Sequence, residues 1–201
     1  MPIIETSLPG LLIWAVLGYL AGSVPFGLLV SNALGLGNLR EIGSGNIGAT
    51  NVLRTGSKTA AAATLLLDGG KGALAVLLAR WLTGEDAAQL AGLMAFIGHC
   101  FPVWLHFKGG KGVATFLGLM LALAFPVGVA CCLTWLVAFA ILRISSVGAL
   151  AAAGLSVVWA VALGLPTMAV LCLLLTGLVF YRHSANIQRL RAGTEPKVGQ
   201  K

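Results

Sequence analysis

The chain has 201 residues, of which 58% are hydrophobic and 9% charged, with a formal net charge of +7. A soluble domain carries roughly 25% charged residues, so this composition excludes a soluble globular protein and leaves no length for a separate soluble domain. The basic residues form no stripe on a polar domain, which excludes nucleic acid as their partner and assigns them to the cytoplasmic loops of a membrane protein.

The first apolar run, Leu8 to Val30, follows a leader that carries Glu5 and no Lys or Arg. It is too long for the core of a cleavable signal and is expected as an uncleaved first span. A polar island follows, Gly43-Ser44-Gly45-Asn46-Ile47-Gly48-Ala49-Thr50-Asn51. It fits G-x-G-x-x-G, but a dinucleotide fold needs a preceding strand and here a transmembrane helix precedes. No G-x-x-x-x-G-K-[ST] occurs either. What survives is a tight loop whose glycines let N–H groups approach a ligand, beside Ser44, Asn46, Thr50 and Asn51. Arg54 lies one turn beyond Asn51 if a helix has begun.

The second run, Thr59 to Leu82, contains Asp68 and Lys71. Each costs about 2.5–3.5 kcal/mol at a helix centre on insertion scales. Their i, i+3 spacing lets them pair and face the bundle interior, and Gly69, Gly70 and Gly72 alongside mark a site. The third run, Ala87 to Phe107, carries His99 and His106, which read as interfacial. A second island, Lys108-Gly109-Gly110-Lys111-Gly112-Val113-Ala114-Thr115, opens the fourth helix. A helix N-terminus attracts anions, and Lys111 adds a full charge.

Val113 to Leu142 as one helix would be about 45 Å long, more than the roughly 30 Å hydrocarbon core. Pro126 breaks it, and Gly164-Leu165-Pro166 separates Val147–Leu163 from Leu165–Tyr181. Ser145 and Ser146 read as a helix cap or as ligand contacts. The third island, Arg182-His183-Ser184-Ala185-Asn186-Ile187-Gln188-Arg189-Leu190, puts His183, Asn186 and Arg189 on one helix face. The tail Ala192–Lys201 is expected to fray. Cys100, Cys131, Cys132 and Cys172 form no C-x-x-C pair and read as buried and inert. No cofactor or metal is called for.

These breaks give an all-α integral membrane protein, a bundle of seven transmembrane helices with the N-terminus outside and the C-terminus cytoplasmic. Segments 31–58, 108–112, 143–146 and 182–201 then share one side. With Lys71 just inside the second span, that side holds every one of the 13 Lys and Arg residues except Arg80, in line with the positive-inside rule. The whole of 1–201 is expected as one transmembrane domain, with all three islands facing the cytoplasm.

Taken together, GSGNIGATN, the D-x-x-KG of the next span, KGGKGVAT and HSANIQRL resemble the bacterial membrane acyl-phosphate:glycerol-3-phosphate acyltransferases, over nearly the whole chain. The resemblance implies transfer of a fatty acyl group from acyl phosphate to the sn-1 hydroxyl of glycerol 3-phosphate, in the bacterial cytoplasmic membrane. The products are 1-acyl-glycerol 3-phosphate (lysophosphatidic acid) and inorganic phosphate, and the step opens phospholipid synthesis. Implied partners are the two substrates, membrane lipid and the soluble enzyme that supplies acyl phosphate. By motif position, the resemblance carries over Ser44, Lys111, His183 and Asn186 as catalytic residues. Asn46, Thr50, Asn51, Arg54, Asp68, Lys71, Gly109, Gly110, Gly112, Thr115 and Ser146 carry over as substrate-binding residues. The rival reading from the residues alone is a small secondary transporter for a phosphorylated metabolite. Transporter sites lie near the midplane of repeated halves, whereas these islands gather at one face and no repeat is evident.

Overall fold

The computed structural model describes residues 2–199. They form two compact units of helices, one of Ile3–Leu123 and the other of Pro2 with residues 124–199. The first unit contains α1 (Leu8–Ser23), α2 (Phe26–Ala33), the short α3 (Ala49–Leu53), α4 (Lys58–Leu82), α5 (Glu85–Cys100) and α6 (Val113–Leu123). The second contains α7 (Phe125–Leu142), α8 (Ser145–Ala162), α9 (Ala169–Arg182) and α10 (Ser184–Arg191).

Five stretches among the described residues are long and apolar enough to cross a membrane: Leu8–Ala33, Lys58–Leu82, Glu85–Leu105, Phe125–Leu142 and Ser145–Ala162. A sixth is the pair Pro166–Arg182 and Ser184–Arg191, bent by 64° at His183. The expected fourth span is only 11 residues in α6, about 16 Å against a core of roughly 30 Å. Its N-terminal turn does not reach the end of α4. Thr115 Oγ1 donates to the Asp68 carbonyl at 2.9 Å, in the middle of that helix. At the other end, Arg80 donates to the last α6 carbonyls, Ala122 at 2.6 Å and Leu123 at 2.8 Å, and pairs with Glu85 at 2.8 Å. The basic residue that stood apart in the charge pattern thus caps a short helix.

The breaks fall where the sequence places them. Pro126 lies at the first turn of α7, and a 3-10 turn over Pro166–Met168 separates α8 from α9. An additional break splits the first span. Val24 is extended ahead of Pro25, and α2 starts afresh at Phe26. Ser145 and Ser146 lie inside the first turn of α8, and Ile144, which offers no side-chain hydrogen bond, takes the capping position.

Large apolar side chains point outward and small ones inward. Leu12, Leu66, Leu77, Val137 and Leu173 are exposed, whereas Ala60, Ala79, Ala91, Ala95, Ala152 and Ala153 are buried. Lipid is as apolar as leucine, so helix association rests on close backbone approach through small residues. A Cβ on Gly22 would fall 1.9 Å from the Ala95 carbonyl oxygen, and one on Gly98 would fall 2.2 Å from that of Tyr19, so α1 and α5 touch backbone to backbone. Gly118 stands equally close to Gly69, where α6 meets α4. The glycines of α4 read from the sequence as part of a site therefore include one that serves helix packing.

Gly22→Ala should destabilise the protein by about 1–3 kcal/mol through overpacking. Gly177→Ala, whose added Cβ meets nothing within 4 Å, should leave stability unchanged or raise it slightly. Thermal melting in detergent micelles compares the two, and equal melting temperatures would refute the backbone contact.

Candidate active site

The site is built outward from a buried ammonium. Breaking a helix at Val24-Pro25 leaves carbonyls without intrahelical partners, which hydrocarbon does not solvate. Lys71 Nζ on α4 donates to Val24 O at 2.7 Å, and Trp104 Nε1 donates to Ser23 O at 2.8 Å. The remaining hydrogens of the ammonium reach Asp68 Oδ1 at 2.7 Å and His99 Nδ1 at 2.8 Å. Asp68, Lys71 and His99 are all buried, and the Phe26 ring lies 5.7 Å from the ammonium. The pairing and inward orientation of Asp68 and Lys71 match the spacing argument. His99, read as interfacial, is instead the third member of this network. Its signal was the one that flagged Asp68, a titratable group inside an apolar run.

The network positions both glycine islands of this unit. Through Val24 it fixes the start of α2, where Gly27 comes so close to the Ile47 carbonyl that a Cβ would fall 1.7 Å from that oxygen. Ile47 is buried and carries the first island. Within the island, Gly43 and Gly45 adopt φ of +53° and +65°, a left-handed conformation that favours glycine. Asn51 is the internal anchor. Its Nδ2 donates to Leu39 O at 3.0 Å, while its Oδ1 accepts from Ser44 N at 3.2 Å, Ser44 Oγ at 3.4 Å and Arg54 Nη1 at 3.2 Å. Arg54 follows Asn51 by one helical turn because α3 has begun at Ala49. Asn51 is 1% exposed and shapes the loop, whereas Ser44 and Arg54 are exposed and Asn46 and Thr50 half-buried.

The second island packs on the other arm of the network. Gly109 N donates to Cys100 O and Gly110 N to His99 O, both at 3.1 Å. Both N–H groups, expected to face an anion, bind carbonyls at the end of α5. The reason is close packing: a Cβ on Gly110 would fall 2.2 Å from His99 Nε2, and one on Gly112 2.3 Å from Phe96 Cε2. Gly112, at φ +81°, turns the chain into α6 and its carbonyl accepts from Phe116 N at 2.7 Å. Thr115 is fully buried with its hydroxyl committed to α4. Lys111 is half-buried between Gly110 and Gly112. The two islands are tied by Arg40, which donates to Gly45 O at 3.3 Å and to Lys108 O. Sequence reasoning passed over Arg40 because it lies just outside the glycine-rich motif.

In the second unit, His183 and Asn186 are both buried across the α9–α10 bend. His183 Nδ1 donates to Val179 O at 2.8 Å, which fixes the orientation of the ring. The tail does not fray over its described residues. Gly193, at φ +70°, ends α10, with Gly193 N donating to Leu190 O at 3.2 Å and Thr194 N to Arg189 O at 2.8 Å. This Schellman pair reverses the chain and carries Glu195 back over α10. Glu195 Oε1 accepts from Ser146 Oγ at 2.7 Å and from Asn186 Nδ2, and Oε2 accepts from Arg189 Nε at 2.7 Å. Burial pushes its carboxyl up, but the donors of Ser146, Asn186 and Arg189 outweigh this and hold it below the usual carboxylate range. Val198 N closes the strap on Arg143 O at 2.8 Å.

Residues 12–193 match the family described as Glycerol-3-phosphate acyltransferase. The chain belongs to this family. A glycerol-3-phosphate acyltransferase of a Ruegeria species is 72% identical over 201 residues, covering 100% of both chains. One of Roseobacter denitrificans is 65% identical over 198 residues, covering 98% of this chain and 99% of its own. A crystal structure of PlsY (YgiH), an integral membrane glycerol 3-phosphate acyltransferase in its glycerol 3-phosphate form, is similar with a TM-score of 0.89 and 35% identity. It covers 94% of this chain and 96% of its own. The lysophosphatidic acid form of PlsY aligns with a TM-score of 0.84 and 34% identity, over 93% and 94% of the two chains. Family membership makes this an acyltransferase and a multi-pass membrane protein, and it removes the transporter reading.

Lys71→Met strips the donor from the Val24 carbonyl, the Asp68 carboxylate and the His99 ring together. It should cost about 3–5 kcal/mol, as removal of one partner of a buried pair does. The Asp68→Asn, Lys71→Met double variant should recover part of that loss. Chemical denaturation in detergent measures both, and a single variant as stable as wild type would refute the network's role.

Proposed function

We propose that this acyltransferase moves a fatty acyl group from acyl phosphate to the sn-1 hydroxyl of glycerol 3-phosphate, releasing 1-acyl-glycerol 3-phosphate and inorganic phosphate. The observation that carries this reading is family membership over residues 12–193, joined to two islands whose exposed or half-buried polar groups suit phosphate. Both substrates are phosphorylated, so cations and hydroxyls must meet them where water is replaced by fixed dipoles.

Acyl phosphate is a mixed anhydride with a good leaving group. The sn-1 oxygen attacks the acyl carbon, the bond from that carbon to the phosphate oxygen breaks, and phosphate departs. Lys111 and Ser44 hold the leaving phosphate, and Arg54, a planar donor fork, clamps a phosphate bidentately. Asn46 and Thr50 complete that loop's contacts. Asn51 acts through Ser44 and Arg54, and Asp68, Lys71, Gly109, Gly110, Gly112 and Thr115 act by holding the loops in place. His183, Asn186 and Ser146 orient the glycerol moiety. The residues five after His99, His106 and His183 are Trp104, Lys111 and Gln188, so the H-x-x-x-x-D pair of acyl-CoA-dependent acyltransferases is missing. A substrate phosphate oxygen takes the hydroxyl proton instead.

The chain as a whole is one acyltransferase domain in the bacterial cytoplasmic membrane, and a soluble enzyme supplies its acyl phosphate. It crosses seven times, α6 with its preceding loop being the shortest crossing, with the N-terminus outside and the C-terminus cytoplasmic. The segregation of Lys and Arg to one side of that arrangement supports it.

Purified protein in liposomes should release phosphate and form lysophosphatidate from acyl phosphate and glycerol 3-phosphate, and should fail with acyl-CoA. Equal turnover with acyl-CoA, or none with acyl phosphate, would overturn the donor assignment. A C-terminal reporter enzyme should be active only in the cytoplasm, and activity outside the cell would overturn the topology.

A further inference from the structure

Arg40 is an exposed arginine on a backbone that is pinned at several points. Asn38 Oδ1 accepts from Arg40 N at 3.0 Å, and Asn38 Nδ2 donates to Glu41 Oε1 at 2.7 Å. Leu39 is fully buried, and its carbonyl accepts from Asn51 Nδ2 at 3.0 Å. With Leu39 held inward, the Arg40 guanidinium reaches carbonyls of two separate loops, Gly45 O at 3.3 Å through Nη1 and Lys108 O through Nη2. The approach to Gly45 is close in both directions, since a Cβ there would fall 3.0 Å from the Arg40 carbonyl oxygen. On the other side of Ser44, the Arg54 side chain lies over Gly43, where a Cβ would fall 2.6 Å from both Cδ and Nη1. Ser44 thus stands between two glycines, each packed against a different arginine.

We infer that Arg40 is a positioning residue that holds Ser44 in place for a substrate phosphate by bolting the Gly45 carbonyl to the loop at Lys108. This rests on the acyltransferase reading above. Gly43 and Gly45 both turn at positive φ, and a loop that turns on two glycines has other backbone conformations open to it. Something outside the turn must therefore select one. Asn51 does so on the N-terminal side of Ser44, accepting from Ser44 N at 3.2 Å. Arg40 does so on the C-terminal side, through Gly45 O. Its two Nη atoms diverge from a planar fork and so hold two carbonyls at once, whereas a lysine offers one nitrogen on a flexible stem. A bolt of this kind acts through the backbone, which separates it from a cation that works by its charge on the phosphate.

The test compares wild type, Arg40→Met, Arg40→Lys, Ser44→Ala and the Arg40→Met, Ser44→Ala double variant in lipid nanodiscs. Calorimetry measures affinity for glycerol 3-phosphate and for an acyl phosphonate, the non-hydrolysable analogue of acyl phosphate. Arg40→Met should weaken binding of the acyl phosphonate roughly tenfold. Arg40→Lys keeps the charge but not the fork, and should bind within about threefold of Arg40→Met. In the Ser44→Ala background, Arg40→Met should weaken binding by no more than about threefold further, because residues that act through one another are not additive. A merely structural role would not produce that coupling. Fully additive losses, or wild-type affinity in Arg40→Lys, would overturn the inference, because Arg40 would then act by its charge. An Arg40→Met protein that melts at a lower temperature yet binds as wild type does would overturn it too. A coupled loss confined to glycerol 3-phosphate would uphold the role of Arg40 and overturn the assignment of Ser44 to the leaving phosphate. Should Arg40→Met fail to fold, Arg40→Lys takes its place in the cycle, where additivity overturns the inference equally. Wild type that binds both ligands but forms no lysophosphatidate from acyl phosphate faults the functional reading alone, and the cycle still decides the role of Arg40. Wild type that binds neither ligand overturns both.

Discussion

The ammonium of Lys71 is the interaction on which the first unit depends. A helix broken inside a bilayer exposes carbonyls that nothing in the hydrocarbon will solvate, and the break at Val24-Pro25 is what starts α2 in a new direction. Lys71 meets that carbonyl and uses its other hydrogens to bind Asp68 and His99. A buried charge is costly alone, so the lysine needs the aspartate, and the broken helix needs the lysine. From this knot one arm runs through α2 and Gly27 to the Ile47 carbonyl of the first island. The other runs through His99 to the backbone of Gly109 and Gly110.

The glycines of the polar islands consequently do two kinds of work. Gly43 and Gly45 supply backbone conformations that turn the loop and leave Ser44 exposed. Gly109, Gly110 and Gly112 supply absence of volume, letting the loop lie against His99 and Phe96. A glycine-rich stretch beside lysine suggests an anion cradle because the residue types are the same in both cases. Here the N–H groups of Gly109 and Gly110 face carbonyls, and Lys111 is the charged group the loop carries.

Helix existence was legible in the sequence because apolar runs and prolines are local features. Pro126 and Gly164–Pro166 mark breaks that the structure shows, and the i, i+3 spacing of Asp68 and Lys71 shows their pairing. Less legible was everything that depends on which segment a side chain meets. Val113–Leu123 looks like the opening of a span, yet Thr115 meets α4 at Asp68 and Arg80 caps its far end, so α6 is a half-length element. Pro25 lies within an apolar run of ordinary span length, and nothing local separates a kink from a full break. His99 and Arg40 act over 28 and 68 residues of chain, and no periodicity carries that information. The tail was read as frayed from its polarity, although Gly193 at the end of a helical pattern is a local signal for the turn that returns Glu195.

The two units carry chemically different clusters. The first carries Arg40, Arg54 and Lys111 with hydroxyl and amide groups, and its buried Asp68 is neutralised within the Lys71 network. The second has Glu195 holding the hydrogens of Ser146, Asn186 and Arg189, with His183 Nδ1 bonded to the Val179 carbonyl. Glu195 binds α8 and α10 to the returning tail through these three donors.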